Sequence, residues 1–253
     1  MKWDPQQYGR YIGERGRPFV DLVAQIGATE PRRVVDLGCG PGNLTTLLTD
    51  RWPNAQVEGL DSSAEMIAAA PSGPRLSFEV ADLAEWTPAP DVDVVVSNAA
   101  LQWVPPHREL LDRWATSLPA GGWLAFQVPG NFNSPSHALL REQAARPRWA
   151  GALAGVLRHA DVVAEPEDYA AQLLGHGLTV NAWETTYLHV LPGTDPVLEW
   201  VRGTALRPVI AALPPEDVPE FEAELAATLR TAYPPTPHGT LFPFRRIFVV
   251  AHR

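Results

Sequence analysis

The segment that most constrains the fold of this 253-residue chain runs from Val34 to Leu48 and reads VVDLGCGPGNLTTLL. β-Branched residues and an acid come first, three glycines follow at alternate positions, and apolar residues then recur at helical spacing. A buried strand that passes through a glycine turn into a helix presents backbone N–H groups at the helix N-terminus, where a ligand can approach closely. Such strand–turn–helix units are typical of parallel α/β sheets.

Strands and helices continue to alternate after this turn. Apolar runs predict further strands over 55–61, 76–82, 92–100 and 123–130. Helices are predicted over 17–27, before the first strand, and over 42–52, 62–70 and 106–118 between strands, with Ser62 as a candidate N-cap. Short connections between alternating elements favour a parallel sheet with helices on both faces.

The second half of the chain is less regular. Residues 135–175 are mostly helical in pattern, with breaks expected at Pro147 and Gly151. Strands are predicted over 179–191 and 240–253, with helices over 196–213 and 219–233 between them. The fold class expected is therefore α/β, with a doubly wound, mostly parallel seven-stranded sheet and a helical cap over the carboxyl ends of its strands.

Four parts of the chain follow from this pattern. They are an N-terminal helical lid over 1–28, an α/β core that binds a cofactor over 29–133, a helical cap insertion over 134–178, and C-terminal strands and helices over 179–253 that complete the sheet and a substrate pocket. The lid is inferred from the aromatic residues among the N-terminal arginines, which are unusual in a floppy tail.

Each of the first four predicted strands ends in an acid or an amide: Asp36, Asp61, Asp82 and Asn98. The carboxyl ends of parallel strands meet at one edge of the sheet, which is where open α/β sheets bind ligands. An acid at the end of the second strand, 21 residues after Gly40, can accept the hydroxyls of a ribose.

Dinucleotide binding is the main alternative for the glycine turn. Its fingerprint, G-x-G-x-x-G/A, requires glycine or alanine at the position of Asn43, whereas the third glycine here comes one residue early, at Gly42. The carboxylate of Asp36 would also repel a pyrophosphate and would suit a positively charged ligand. An NAD-dependent oxidoreductase is therefore the less favoured interpretation. For the glycines taken alone, a tight turn that serves only packing is a further alternative.

This combination resembles the class I S-adenosylmethionine-dependent methyltransferases. The matching motifs are VVDLGCGPG, GLDSS, VADL and SNAALQW. The resemblance implies a Rossmann-like methyltransferase fold and S-adenosyl-L-methionine as cofactor, with S-adenosyl-L-homocysteine as product. It implies that the cofactor is bound by Asp36, Gly38, Gly40, Asp61, Ser62, Asp82, Leu83 and Asn98. Cys39 is expected only to fill a small-residue position.

A narrower resemblance runs nearly end to end. MKWDPQQYGRYIGERGRPFVDLV, VPGNFNSPSHALLRE, WETTYLHVL and FPFRRIFVVAHR are similar to the trans-aconitate 2-methyltransferases, whereas RPRWAGALAGVLRHADVV matches only loosely. That family implies an O-methyltransferase that forms a methyl ester on a carboxylate of trans-aconitate. Because a carboxylate of pKa near ~4 is already ionised at neutral pH, we expect no general base and no metal, only positioning and desolvation.

A buried tricarboxylate needs local cations, since an unpaired buried charge is very costly. Arginine is the best candidate because its planar fork matches a carboxylate. Consecutive strand residues face opposite ways, so only one of Arg245 and Arg246 can face the ligand. The expected substrate-binding residues are Tyr8, Arg17, Trp103, Asn131, Tyr187, Arg207 and Arg245.

The composition of the chain limits the kinds of molecule that it is expected to bind. The net charge of −9, without a compensating basic run, argues against nucleic acid. A single cysteine, Cys39, excludes intrachain disulfides, and the absence of a long apolar stretch indicates no membrane partner and a cytoplasmic protein. We expect a monomer or weak dimer that acts on a small-molecule polycarboxylate. The alternatives are methylation of an isoprenoid or fatty acid or of a natural-product hydroxyl, and a non-catalytic module that binds S-adenosylmethionine.

Overall fold

The structure is a computed structural model that describes residues 12–157 and 162–253. Its strands are β1 (Arg33–Leu37), β2 (Gln56–Asp61), β3 (Leu76–Val80), β4 (Val94–Asn98), β5 (Trp123–Pro129), β6 (Thr179–Leu191), β7 (Pro235–Thr236) and β8 (Gly239–His252). Its helices are α1 (Ile12–Ala24), α2 (Thr46–Arg51), α3 (Ala64–Ala68), α4 (His107–Ser117), α5 (Pro135–Ala144), α6 (Pro147–Leu153), α7 (Pro166–Gly175), α8 (Pro196–Arg202), α9 (Arg207–Ala212) and α10 (Val218–Ala232). A 3-10 turn spans Leu101–Trp103. Tyr8 and the first part of the predicted lid lie outside the described residues.

The strands form one sheet in the order β3-β2-β1-β4-β5-β8-β6, and β7 pairs with β8 outside this path. The strands β1 to β5 pair in parallel, whereas β8 runs antiparallel to β5. The predicted α/β fold with a mostly parallel seven-stranded sheet is confirmed. The central strand β4 is buried throughout its apolar run, which explains why Val94, Val95 and Val96 show no alternation with polar residues.

Helices cover both faces of the sheet. On one face, Trp114 of α4 and Tyr169 of α7 belong to the same apolar cluster as Phe126 of β5. α1 packs against β4 and β5, and a Cβ on Gly27, just after α1, would lie 2.7 Å from the ring of Trp123. Since Trp123 and Phe126 are three residues apart on one strand, their side chains point to opposite faces. The sheet is therefore doubly wound, as predicted.

The chain divides into two compact units. The sheet unit comprises the described residues up to Pro129 together with Val163–Thr185 and Arg246–Arg253. The second unit comprises the described residues of Gly130–Val162 and Thr186–Arg245. Within the second unit, α10 packs against α5 and α8, and the backbone N–H of Ser136 donates to the Tyr233 hydroxyl at 3.0 Å.

The position of α7 differs from the predicted cap over 134–178, because the structure places this helix in the sheet unit. Tyr169 and Leu173, one helical turn apart, are fully buried in the core of the sheet. His107 of α4 lies with Nε2 2.8 Å from the Tyr169 hydroxyl and so ties α4 to α7. Although α7 follows α5 and α6 in the sequence, it packs against the sheet because its apolar face is buried there.

Three local predictions were wrong. Gly151 lies inside α6 instead of breaking it, whereas the break expected at Pro147 is confirmed, because α5 ends at Ala144 and α6 begins at Pro147. The helix expected over 196–213 is two helices, α8 and α9, because Pro208 lacks an N–H and its ring would clash with the carbonyl four residues earlier. The N-cap of α3 is Ser63, which accepts the Met66 N–H at 3.3 Å, and not Ser62. Across 12–157 and 162–253, no helix is both long and apolar enough to cross a bilayer.

Candidate active site

The polar residues predicted to share one edge of the sheet do so; we call Asp36, Asp61, Asp82 and Asn98 the polar edge. Asp36 lies opposite Gly59 of β2 and Val96 of β4 in the parallel register. Asp61 and Asn98 are the last residues of β2 and β4, and Asp82 follows β3 by two residues. The carboxyl ends of these parallel strands therefore present three carboxylates and an amide together.

The glycine turn after β1 combines a tight packing position with an open one. Gly38 has a φ of +76°, and a Cβ there would lie 2.2 Å from the Cβ of Ala100. Its N–H donates to the Leu60 carbonyl at 2.7 Å. Gly40 also has a positive φ, +57°, but no atom of residues 12–157 or 162–253 lies within 4 Å of the position that its Cβ would take. The backbone at Gly40 is thus open to a ligand, as a close-approach glycine requires.

Asp61 braces this turn. Its Oδ2 accepts the Gly40 N–H and its Oδ1 accepts the Ser63 N–H, both at 2.9 Å. A carboxylate has about four lone-pair positions, so each oxygen can accept a further hydrogen bond from a ligand hydroxyl. Ser62, the residue between, is exposed at the surface of the site.

Asp36 is buried, with 3% of its surface exposed. The Thr45 hydroxyl donates to its Oδ2 at 2.7 Å. Burial raises the pKa of Asp36 to about 7, the negative charge of Asp61 adds to this rise, and the hydrogen bond from Thr45 opposes it. A cation next to Asp36 would favour its ionised form, so the site is built to gain from a positively charged ligand.

The backbone is strained at the end of β4. Ala99 has a φ of 54°, the left-handed region that costs a non-glycine residue about 1–2 kcal/mol. Two hydrogen bonds hold it there: the Ala99 N–H donates to the Gln127 carbonyl at 2.9 Å, and Gln102 Nε2 donates to the Ala99 carbonyl at 2.6 Å. Asn98, immediately before, has a buried Oδ1 without a hydrogen-bond partner among the described residues. The strain fixes this acceptor at the polar edge.

Comparison with known proteins identifies the family. A family model described as a methyltransferase domain matches residues 9–182. Trans-aconitate 2-methyltransferase from Rhodococcus jostii (strain RHA1) is 56% identical over 251 residues, covering 98% of both chains. The enzyme of the same name from Streptomyces avermitilis is 53% identical, covering 99% of this chain and 97% of its own. The chain belongs to the trans-aconitate 2-methyltransferase family.

A solved structure agrees on the fold of the methyltransferase. Phosphoethanolamine N-methyltransferase 2 of Haemonchus contortus, in complex with S-adenosyl-L-methionine, aligns with a TM-score of 0.56 at 15% identity. The match covers 96% of this chain and 55% of that one. The cofactor of the methyltransferase is S-adenosylmethionine. The open backbone at Gly40, the buried Asp36 and the unpartnered Asn98 Oδ1 fit a nucleoside that carries a positive charge.

Other cofactor-site predictions fall at the same edge of the methyltransferase. Asp82 is exposed and accepts the Ala84 N–H at 2.9 Å. Leu83 is buried, and its Cδ2 lies 3.9 Å from the position of a Cβ on Gly38. Burial, with the charges of Asp36 and Asp61, raises the pKa of the Cys39 thiol far above its usual range. A thiol that stays protonated is not a nucleophile, which agrees with the expected small-residue role.

The predicted substrate residues are scattered over the described chain. Arg17 of α1 has a side chain that is 70% exposed and lies 3.8 Å from Asp21. Trp103 is half-buried at the end of the 3-10 turn. Asn131, Tyr187, Arg207 and Arg245 belong to the second unit.

Within the second unit, two of these residues are buried. Asn131 has 3% exposure and an Nδ2 without a partner among the described residues, and Tyr187 has its ring parallel to that of His189 at 6.5 Å. Arg207 begins α9, and Arg245 donates to the Gly130 carbonyl at 3.4 Å. The residues described hold no cluster of three or more His, Cys, Asp or Glu side chains that could bind a metal ion.

The predicted site omits two buried polar residues of the sheet unit, Gln127 and Arg246, because the sequence favours Arg245 over Arg246 and assigns no role to Gln127. Gln127 is fully buried on β5, and Arg246 of β8 has 6% exposure and donates from Nη1 to Gln127 Oε1 at 3.4 Å. The signal for Gln127 was present: it is the only polar residue in the apolar strand WLAFQVP. A lone polar side chain in a fully buried strand requires a partner, and that requirement points to a site.

Proposed function

We propose that this methyltransferase transfers a methyl group from S-adenosylmethionine to a carboxylate of trans-aconitate and so forms a methyl ester. The observation that carries the proposal is the polar edge, in which a buried carboxylate of raised pKa lies beside an open glycine backbone. The names of the relatives support the acceptor, because their similarity extends over 98% of the chain and not only over the sheet. A similarity of this extent includes both the sheet unit and the second unit, and so supports a donor and an acceptor of the same kind.

In this proposal the polar edge holds the donor. When bound, S-adenosylmethionine supplies a methyl group on a positively charged sulfur. The turn at Gly38 and Gly40, with Asp36, lies along its methionine part, and Asn98 lies near the sulfur. Asp61 and the adjacent Ser62 bind the ribose hydroxyls, and Asp82 and Leu83 bind the adenine.

No side chain has to remove a proton in this reaction. The acceptor carboxylate, with a reference pKa near ~4, is already ionised at neutral pH. The chain's own contribution is to orient the acceptor and to exclude water, since opposite charges on donor and acceptor both diminish as the reaction proceeds. Trp103, half-buried at the end of the 3-10 turn that follows the strained Ala99, is proposed as part of the apolar wall.

The acceptor side requires cations and neutral donors. We keep the remaining predicted substrate residues as candidates: Tyr8, Arg17, Asn131, Tyr187, Arg207 and Arg245. Of these, Asn131 has the strongest support because its buried Nδ2 offers N–H donors that find no acceptor in the part of the chain that the structure describes. A tricarboxylate needs two or three cations, whereas a lipid acid needs one cation and a long apolar channel.

The test is a transfer assay. The protein is incubated with methyl-labelled S-adenosylmethionine and a panel of di- and tricarboxylic acids, long-chain acids and hydroxyl acceptors. Base-labile label on trans-aconitate is expected. Label on long-chain acids alone would overturn the acceptor, and cofactor binding without transfer to any compound would indicate a binding module instead of an enzyme.

The proposal also includes the cellular location, the partners and the oligomeric state of the enzyme. The single Cys39 suits the reducing cytoplasm, and the acidic net charge of −9 disfavours nucleic acid as a partner. A free small-molecule acceptor does not require assembly, so we propose a monomer or weak dimer. Size-exclusion chromatography with light scattering checks this state.

A further inference from the structure

Gln127 of β5 and Arg246 of β8 form a buried polar pair that the donor site does not use. In the antiparallel register, Arg246 lies opposite Pro129, two residues beyond Gln127, so both side chains project from the same face of the sheet. Gln127 has 0% exposure and Arg246 has 6%. A guanidinium this deeply buried on a strand is uncommon, because a charge is costly to bury.

Arg246 fixes the orientation of the Gln127 amide. A guanidinium carries only donors, so the atom of Gln127 that faces its Nη1 at 3.4 Å is the oxygen Oε1. The amide nitrogen Nε2 is therefore not the atom that faces Nη1, and it is buried without a hydrogen-bond partner among the described residues. A buried donor without an acceptor is unfavourable, because it has lost its hydrogen bonds to water. The free energy of the site therefore improves when an acceptor group binds at Nε2.

The pair lies next to the place proposed for the reacting methyl group. Gln127 is the register partner of Asn98, the last residue of β4, and its carbonyl holds the strained Ala99. Among the described residues, Asn98 Oδ1 is an acceptor without a donor, and Gln127 Nε2 is a donor without an acceptor. The two atoms thus call for opposite ligand chemistry on adjacent strands: a hydrogen-bond donor at Asn98, and a hydrogen-bond acceptor such as a carboxylate oxygen at Gln127.

We propose that Gln127 and Arg246 bind a carboxylate of the acceptor, an inference that rests on the proposed function. Arg246 provides the positive charge, and Gln127 both holds the guanidinium through Oε1 and donates to the carboxylate through Nε2. A planar carboxylate with two acceptor oxygens matches this pair of planar donors. Arg246, and not the adjacent Arg245 favoured by the sequence, is then the specificity-determining arginine of the last strand.

The experiment measures acceptor binding separately from turnover. Isothermal titration calorimetry of trans-aconitate into protein saturated with S-adenosylhomocysteine compares wild type with Gln127→Glu and Arg246→Gln. Gln127→Glu keeps the shape but places a negative charge beside Arg246, and Arg246→Gln removes the cation. Both are expected to weaken acceptor binding by at least about tenfold, the effect of losing one charge-assisted hydrogen bond. Binding of S-adenosylhomocysteine should stay within about twofold, which also reports correct folding.

A kinetic readout separates binding from a general loss of structure. Arg246→Lys keeps the positive charge but loses the planar guanidinium, so KM for the acceptor should rise more than kcat falls. This milder variant replaces Arg246→Gln if the latter does not fold. The matched control is Arg32→Gln, which removes an exposed arginine that pairs with Asp93 just before β1. That variant should bind the acceptor as wild type does.

Acceptor binding unchanged in both Gln127→Glu and Arg246→Gln would overturn the assignment, as would a loss confined to Arg245→Gln. A wild type that methylates a different carboxylic acid would contradict the proposed substrate, and the same variants titrated with that acid would still decide the role of the pair. A wild type that binds no carboxylic acid would overturn both inferences.

Discussion

Replacing Asp36 with asparagine is expected to stabilise the unliganded enzyme against unfolding, and more strongly at pH 8 than at pH 5. The reason is the buried carboxylate: its pKa is about 7 in the folded protein, against 3.8 for an unperturbed aspartate. Between these values the folded state holds a proton that the unfolded chain has lost. Wild-type stability from this group therefore falls as the pH rises from about 4 to about 7.

The magnitude follows from the pKa values. One pKa unit corresponds to 1.36 kcal/mol, so full ionisation of Asp36 costs the folded state about 4 kcal/mol. Most of that cost arises between pH 5 and pH 8, where it changes by about 2.5 kcal/mol. Asparagine does not titrate, so the stability difference between the variant and the wild type should be about 2.5 kcal/mol larger at pH 8 than at pH 5.

Urea denaturation at both pH values measures this difference directly. Comparing the two pH values cancels whatever the new amide gains or loses against Thr45. The control is Ser97→Ala, which deletes the buried hydroxyl that donates to the Leu37 carbonyl at 2.8 Å. It should cost about 1 kcal/mol at both pH values because no titrating group is lost. A variant-to-wild-type difference that is the same at pH 5 and pH 8 would refute the reasoning.

The remaining predictions concern the cofactor and the glycine turn. Wild-type affinity for S-adenosylmethionine, measured by calorimetry, should rise from pH 6 to pH 8 as Asp36 ionises, and a flat profile would contradict a cation beside it. Asp61→Ala should weaken that binding by about 1–3 kcal/mol through lost hydrogen bonds, and an unaltered Kd would refute the ribose assignment. Gly38→Ala should lower Tm more than Gly121→Ala. Both glycines have a positive φ, +76° and +79°, and this backbone conformation costs about 1–2 kcal/mol in alanine. Only at Gly38 would the new Cβ also clash with a neighbouring atom, which adds about 1–3 kcal/mol. Equal losses of Tm would contradict this packing. Deleting residues 1–16 should impair cofactor binding if this segment is a lid, and unchanged affinity and turnover would exclude it.

The sequence by itself determined the sheet and the place of the donor site. Strand periodicity, the unbroken apolar run of β4 and the glycine turn after Val35 are local signals, since each depends on neighbouring residues and on backbone sterics. The rule that parallel strands end at one edge then places Asp36 and Asp61 together from the sequence alone. That is why the order of elements and the polar edge were predictable.

Only the tertiary structure decided which polar groups are buried and which pair. Arg245 and Arg246 are equivalent in the sequence, and the register of β8 against β5 buries the second beside Gln127. Likewise, α7 belongs to the sheet unit because its apolar face packs against α4. The pKa of Asp36 is raised because the surrounding chain excludes water. The burial of a side chain and its hydrogen-bond partners depend on residues that are distant in the sequence. No local sequence pattern therefore predicts them.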